Sequence, residues 1–293
     1  MANNKMIVDE RSRDLGNFLV GRLLPFREKR QVGPFTFIDH MGPAEISEGT
    51  YFDVDQHPHI GLCTLTYLLE GEAEHHDSTG AHRIITPGSV NFMTAGKGVT
   101  HTERTPIHQR DGGRYRIHGY QVWVALPKEL EEMEPTFTYV DKHDLPTWNE
   151  NGLEFILVAG SGYGRTSPLA VHSPMFMLDI TAQTESQLEI QGQVKGEIAF
   201  VVVHGTLNDG GEHISQGQML ISKTDNECSV TLTTGTRVLL FGGEPFPEER
   251  FMYWNFVSSS KERIEQAKQD WAQKLFPTVP GDTTYIPLPK QHL

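Results

Sequence analysis

Residues 57–103 read HPHIGLCTLTYLLEGEAEHHDSTGAHRIITPGSVNFMTAGKGVTHTE, and this stretch decides the fold. The apolar run Thr64–Leu69 stops at Gly71. Asp77-Ser-Thr-Gly80, Thr86-Pro-Gly88 and Ala95-Gly-Lys-Gly98 are then three successive turn signals. Strands of about four to seven residues at this cadence predict an antiparallel sandwich or small barrel. Gln121–Leu126 supplies a further strand, ended by Pro127.

The same stretch opens on His57-Pro-His59 and closes on His101-Thr-Glu103. In an extended strand, residues i and i+2 share a face, so each pair projects both side chains into one space. Two such strands could offer three imidazoles and one carboxylate to a single metal ion. Pro58 favours this arrangement, because it pushes His57 into the extended region. With 14 histidines in 293 residues some alternate pairs arise without a metal, so the spacing alone leaves both readings open.

A chain of 293 residues suggests two domains, each able to bury a core. The 28 glycines and 17 prolines suit short strands and tight turns better than long helices. A net charge of −13 argues against direct binding of nucleic acid, which rests on clustered Lys and Arg. Arg104, Arg110, Arg114 and Arg116 read as a solvated, exposed run. Two distant cysteines, Cys63 and Cys228, indicate neither a disulfide framework nor a thiolate metal site, which suits a reducing compartment. The first twenty residues lack the apolar core of a secretory signal, and no stretch has the length to cross a bilayer. A cytoplasmic location without membrane attachment is therefore expected.

Between Pro127 and Gly152 the composition turns acidic and proline-rich, which places the domain junction there. The expected division is a metal-binding domain over 1–135, a linker over 136–150 and a second domain over 151–293 that carries a terminal helix. The second half echoes the first: Ile198-Ala-Phe-Val-Val-Val-His-Gly205 resembles Leu65-Thr-Tyr-Leu-Leu-Glu-Gly71, and Ser215-Gln-Gly217 resembles Thr86-Pro-Gly88. Laid Gly205 on Gly71 without gaps, His57 and His59 fall on Gln191 and Gln193. The scaffold signals persist and the ligands are lost. Ser259 and Glu262 read as a capping box, with Ile264, Ala267, Trp271 and Leu275 on one helical stripe before Pro277.

These residues resemble the pirin family. The likeness rests on Gly33-Pro-Phe-Thr-Phe-Ile-Asp-His40, His57-Pro-His-Ile-Gly61, Tyr67-Leu-Leu-Glu-Gly71, Met93-Thr-Ala-Gly-Lys-Gly98 with His101 and Glu103, Gln121-Val-Trp-Val-Ala-Leu-Pro127 and Trp254-Asn-Phe-Val-Ser-Ser-Ser260. It implies an all-β bicupin: two tandem jelly-roll (double-stranded β-helix) barrels with a C-terminal helix. It also implies iron in the first barrel, held by His57, His59, His101 and Glu103, and a metal-free second barrel. Cys63 stands where many pirins carry a Glu. By strand parity with His57 and His59 it is expected beneath the metal, with Gly61 leaving room, as a small buried filler; the alternative is a thiol that tunes or senses the iron's redox state.

Three imidazoles and a carboxylate suit Fe(II), Mn, Co, Ni, Cu or Zn as divalent ions, and would leave two positions open on an octahedral ion. The resemblance suggests an Fe(II)-dependent dioxygenase of the quercetin 2,3-dioxygenase type, acting on a flavonol or similar enol with dioxygen. Glu103 would be its general base. The alternative is a non-catalytic, redox-responsive iron protein that binds a transcription regulator or metabolic enzyme. A zinc-dependent hydrolase or isomerase is permitted by the ligands but not by the resemblance. His40, His75, His76, His82, His118, His172, His204 and His213 receive no role from the sequence.

Overall fold

The computed structural model describes residues 5–14, 18–110, 114–222 and 229–289. Cys228 lies outside the described residues. Two compact units are present, and neither is continuous in sequence. One gathers Met1–Ser12, Gly21–Ile38 and Val140–Phe246; the other gathers Arg13–Val20, Asp39–Tyr139 and Pro247–Leu293. This departs from a simple division at 136–150, because the chain's last segment belongs with the amino-terminal barrel.

The supposed linker is itself structured. Thr136–Val140 forms an edge strand beside Val90–Thr94, and Thr147–Glu150 pairs with Leu153–Gly162. Acidic and proline-rich composition marked the change of domain but concealed these strands, whose alternation is too short to read.

In the unit that holds the amino-terminal barrel, one sheet runs Thr136–Val140, Val90–Thr94, Leu62–Glu70, Tyr115–Ala125, Phe35–Ile46. The other runs Val54–His59, Val99–Arg104, Ala73–Asp77, His82–Ile85. Met41, Leu68 and Ile117 of the first sheet share a core with Ala73 and Ile85 of the second. The three predicted turns fall where expected.

The carboxy-terminal barrel repeats this strand order. Gln218–Ser222, Glu197–His204, Arg237–Gly243 and Met175–Ala182 form one sheet, while Ser186–Glu189, Ser229–Leu232, Thr206–Asp209 and Glu212–Ser215 form the other. The echo extends to single hydrogen bonds: the Gly88 amide donates to Leu68 O at 2.8 Å, and the Gly217 amide to Val202 O at 3.2 Å. Leu68 and Val202 each lie three residues before the matched glycines Gly71 and Gly205, both of which adopt φ +81°.

The ungapped comparison nevertheless misplaces the lost ligands. Gln191 and Gln193 are exposed and lie beyond the strand Ser186–Glu189, because the two barrels differ in loop length. Leu188, Leu207, Val230 and Leu232 fill the interior there, none more than 1% exposed. An apolar core stands where the first barrel gathers imidazoles.

The terminal helix is Lys261–Ala272, capped by Ser260, whose Oγ accepts from the Arg263 amide. Ser259, the expected cap, instead donates its amide to Glu131. Ile264, Ala267 and Trp271 are buried as the stripe predicts. Leu275 is 65% exposed, and Phe276 takes its place against Trp271 and Phe256. Lys274 adopts φ +58° after the helix, which shifts the following side chains off the helical stripe. Among the described residues no helix is long and apolar enough to cross a membrane.

Beyond the helix the chain returns along the strand that carries His57. Gln56 points away from the histidines and is clamped by this tail. Its Nε2 donates to Asp282 O and Thr284 O, and its Oε1 accepts from the Val279 amide at 2.8 Å. Arg104 donates to Asp282 Oδ2 and pairs with Asp55, while Arg110 donates to Asp53. These two arginines are therefore mostly buried structural cations, unlike exposed Arg114 and Arg116. We predict that Gln56→Ala, which strands the buried Val279 amide, costs about 1–3 kcal/mol in denaturant unfolding. No change in the midpoint would show that the tail does not brace the strand.

Candidate metal centre

The strand Val54–His59 pairs antiparallel with Val99–Arg104 so that His101 sits opposite His57 and Val99 opposite His59. Register partners share a face, and alternation then adds His59 to the same side. The nitrogen donors of His57, His59 and His101 all lie within 4.8 Å of one another. The Nε2 atoms of His59 and His101 are 3.1 Å apart.

Glu103 stands outside this triad. The ladder slips between His101 and Glu103, which faces Val54, so the first strand bulges around Asp55–Gln56. Gln121 Nε2 donates to Glu103 Oε1 at 3.0 Å, and Thr66 Oγ donates to Gln121 Oε1 at 2.6 Å. The threonine therefore orients the amide, and the amide holds the carboxylate. Burial pushes the Glu103 pKa up to about 7, against the lowering influence of Gln121.

Burial also takes the imidazoles below their usual range. His57 falls to about 4, and His59 and His101 drop well below 6.5. All three are therefore neutral at physiological pH, the form that can ligate a metal. His57 donates its Nδ1 proton to Asp55 O at 2.8 Å, which leaves Nε2 with a lone pair. His59 packs against the edge of Trp123 with ring centroids 5.1 Å apart.

Two further residues share this face, and sequence reasoning assigned neither of them a role. His75 and Asp77 lie on Ala73–Asp77, opposite Glu103 and His101 respectively. Asp77 is fully buried; its Oδ2 is 3.1 Å from His75 Nε2, and His75 Nδ1 is 3.3 Å from His101 Nδ1. Although burial opposes ionisation of Asp77, hydrogen bonds from His75 and Thr79 hold its pKa below the usual value. The ionised carboxylate fixes the His75 proton on Nε2. Its Nδ1 then accepts from His101 Nδ1–H, and His101 Nε2 is left bare toward the triad. The alternation His75-x-Asp77 was the available signal, but only the pairing register shows which strand it stands behind.

A divalent metal fits this set. Three neutral donors converge, and two of them have their tautomers set by partners outside the cluster, the usual construction behind a metal-bound imidazole. Residual exposure is confined to one side, with 7% at His57 and 9% at Glu103 against 1% at His59 and none at His101. Cys63 contributes nothing to the centre. Gly61, at φ +66°, breaks the strand, and a Cβ there would meet Val257 O at 2.0 Å. Parity with His57 is thereby lost. The Cys63 thiol donates instead to Thr94, and burial pushes its pKa up to about 12.

Comparison with known proteins gives a consistent picture. The Pirin family model matches residues 17–124, and the Pirin C-terminal cupin domain model matches residues 177–277. A pirin-like protein of Caulobacter vibrioides is 43% identical over 97% of this chain and 99% of its own. The crystal structure of a quercetin 2,3-dioxygenase from Acinetobacter baumannii is 33% identical, with a TM-score of 0.88 over 99% of this chain and 97% of that one. The bacterial pirin YhhW from Escherichia coli, crystallised with nickel(II), is 22% identical over 83% of this chain and all of its own, and its TM-score of 0.65 shows the shared fold.

Two expectations follow from this geometry. His75→Phe should weaken divalent-metal binding about 10- to 100-fold in a chelator competition, because it releases the His101 tautomer; an unchanged affinity would overturn the relay. Glu103 binds its proton more tightly in the folded chain, at about 7, than in the unfolded chain, where a glutamate has its ordinary value of 4.5. As pH rises through that window the metal-free wild type should therefore lose on the order of 3 kcal/mol relative to Glu103→Gln. The depressed imidazoles of His57, His59 and His101 add an opposite slope to both proteins, so denaturant melts at pH 5 and pH 8 should show the effect as the difference between the two, and an unchanged difference would overturn it.

Proposed function

We propose, on the premise that this chain belongs to the pirin family, that its amino-terminal barrel is a mononuclear Fe(II) dioxygenase acting on a flavonol or similar enol. The observation that carries the reading is a buried carboxyl group, Glu103, on the same strand face as three converging imidazoles. The likeness to a crystallised quercetin 2,3-dioxygenase supports the substrate class. The resemblance to pirins implies iron, and the donor set accepts other late first-row divalent ions, such as the nickel(II) of the crystallised pirin YhhW.

In this reading His57, His59 and His101 hold the metal, and Glu103 is the acid group that closes the donor set or takes a substrate proton. A divalent iron supplies Lewis acidity toward an enol oxygen and a place for dioxygen beside it. The chain does the rest. Gln121 occupies one carboxylate oxygen of Glu103 and leaves the other to receive the enol hydroxyl proton. Burial raises the pKa of Glu103 in the metal-free chain, and a divalent ion held beside it would favour the carboxylate, the form that accepts a proton. The partly exposed side, at His57 and Glu103, is where a substrate oxygen would arrive, while Trp123 closes the wall behind His59. A cytoplasmic setting accompanies the reading, since Cys63 is a free, buried thiol.

The near-complete burial of His59 and His101 favours a second reading, a metal-dependent module that binds a protein partner and turns nothing over. Oxygen uptake with a panel of flavonols separates the two. Metal-dependent consumption should fall about 10²- to 10⁴-fold in Glu103→Gln, with metal still bound, and vanish together with the metal in His101→Ala. Stoichiometric metal with no oxygen uptake on any flavonol or catechol would reject the enzyme.

A further inference from the structure

The strand Ala73–Asp77 presents His75 and Asp77 inward, so alternation sends Glu74 and His76 to its outer face. There His76 is the register partner of His82, on the neighbouring strand His82–Ile85. Their rings stack with centroids 3.9 Å apart and planes 27° apart. Glu74 Oε1 accepts from His82 Nε2 at 2.7 Å and lies 3.4 Å from His76 Nε2. One donor atom from each of the three residues falls within 4.8 Å of the others.

We propose that Glu74, His76 and His82 form a second metal site, separate from the buried triad, that takes a late first-row divalent ion such as Zn(II), Ni(II) or Cu(II). Two imidazoles and one carboxylate are the borderline donor set these ions prefer, whereas Mg and Ca ions favour all-oxygen cages. The carboxylate already sits between the two Nε2 atoms. Each imidazole needs only to carry its proton on Nδ1 for both Nε2 lone pairs to face the ion. On its other side the strand faces Arg104, already committed to Asp282 and Asp55, and Thr102, so the site is flanked by no uncommitted charge across that pairing.

The scaffold is organised before any ion arrives. Asp77 Oδ1 accepts from the Thr79 amide, the Thr79 hydroxyl and the Ala81 amide, and the Asp77 amide donates to Ala81 O. That locks the turn and hence the His76–His82 register. Side-chain exposure rises from 19% at Glu74 to 36% at His76 and 57% at His82, so solvent completes the coordination and the ion can exchange. Such a three-donor open site is one for capture or delivery, whereas a closed structural site would supply a fourth protein ligand.

Calorimetric titration of the metal-stripped full chain with Zn(II) tests this. His82→Ala and His76→Ala should each bind one equivalent fewer than the wild type, or bind it at least 30-fold more weakly. Glu74→Gln, which keeps the side chain's shape, should weaken the same equivalent about tenfold. With Cu(II), electron paramagnetic resonance should report two nitrogen ligands in that equivalent, falling to one in either histidine variant. Oxygen uptake, if the buried centre supports it, should be untouched by His82→Ala. Equal stoichiometry and affinity in wild type and both histidine variants would overturn the proposal whatever the buried triad does.

Discussion

The pairing of Val54–His59 with Val99–Arg104 sets the position of everything that follows in the amino-terminal barrel. A slip of one residue would turn His57 and His59, or His101 and Glu103, to the opposite face. Register is held from both sides of the sheet. Inside, core side chains such as Ala73 and Ile85 fix which face is buried, and outside, the tail from Val279 to Ile286 grips Gln56 in the gap between the two functional residues Asp55 and His57. Asp55 is functional here through its carbonyl, which sets the His57 tautomer.

Asp77 links two levels of this organisation. One carboxylate oxygen closes the turn of the hairpin, and the other anchors the hydrogen-bonded chain that ends at His101. A single buried charge thus shapes the backbone and decides where a proton sits two imidazoles away. Such a group tolerates burial because both of its carboxylate oxygens have hydrogen-bond partners. The same economy appears at Glu131, whose carboxylate receives Ser258, Ser259 and buried Arg250 and so fastens the segment that leads into the terminal helix.

The three converging histidines and Glu103 were legible in the sequence because strand alternation is a local rule, and the turn residues between them showed that strands were present. The duplication was legible for the same reason: glycines that must adopt positive φ recur at matched places. What escaped was set by non-local pairing. His75 and Asp77 look no different from their neighbours Glu74 and His76 until the register assigns each pair a face. Cys63 shows the reverse failure, where a local rule was carried across Gly61, at which the strand ends. The cap at Ser260 and the burial of Phe276 in place of Leu275 likewise depend on what packs against the helix, since the stripe alone fits either choice.

The amino-terminal barrel is completed by the segment from Pro247 onward, and the carboxy-terminal barrel carries an edge strand, Lys5–Asp9, from far upstream in the chain. During synthesis, then, the first barrel emerges from the ribosome without the segment from Pro247 onward that contributes the Phe256 and Trp271 cluster over Ile60. The strand Val54–His59 remains unbraced until that segment has also been made. An ion arriving earlier would meet donors not yet held in place.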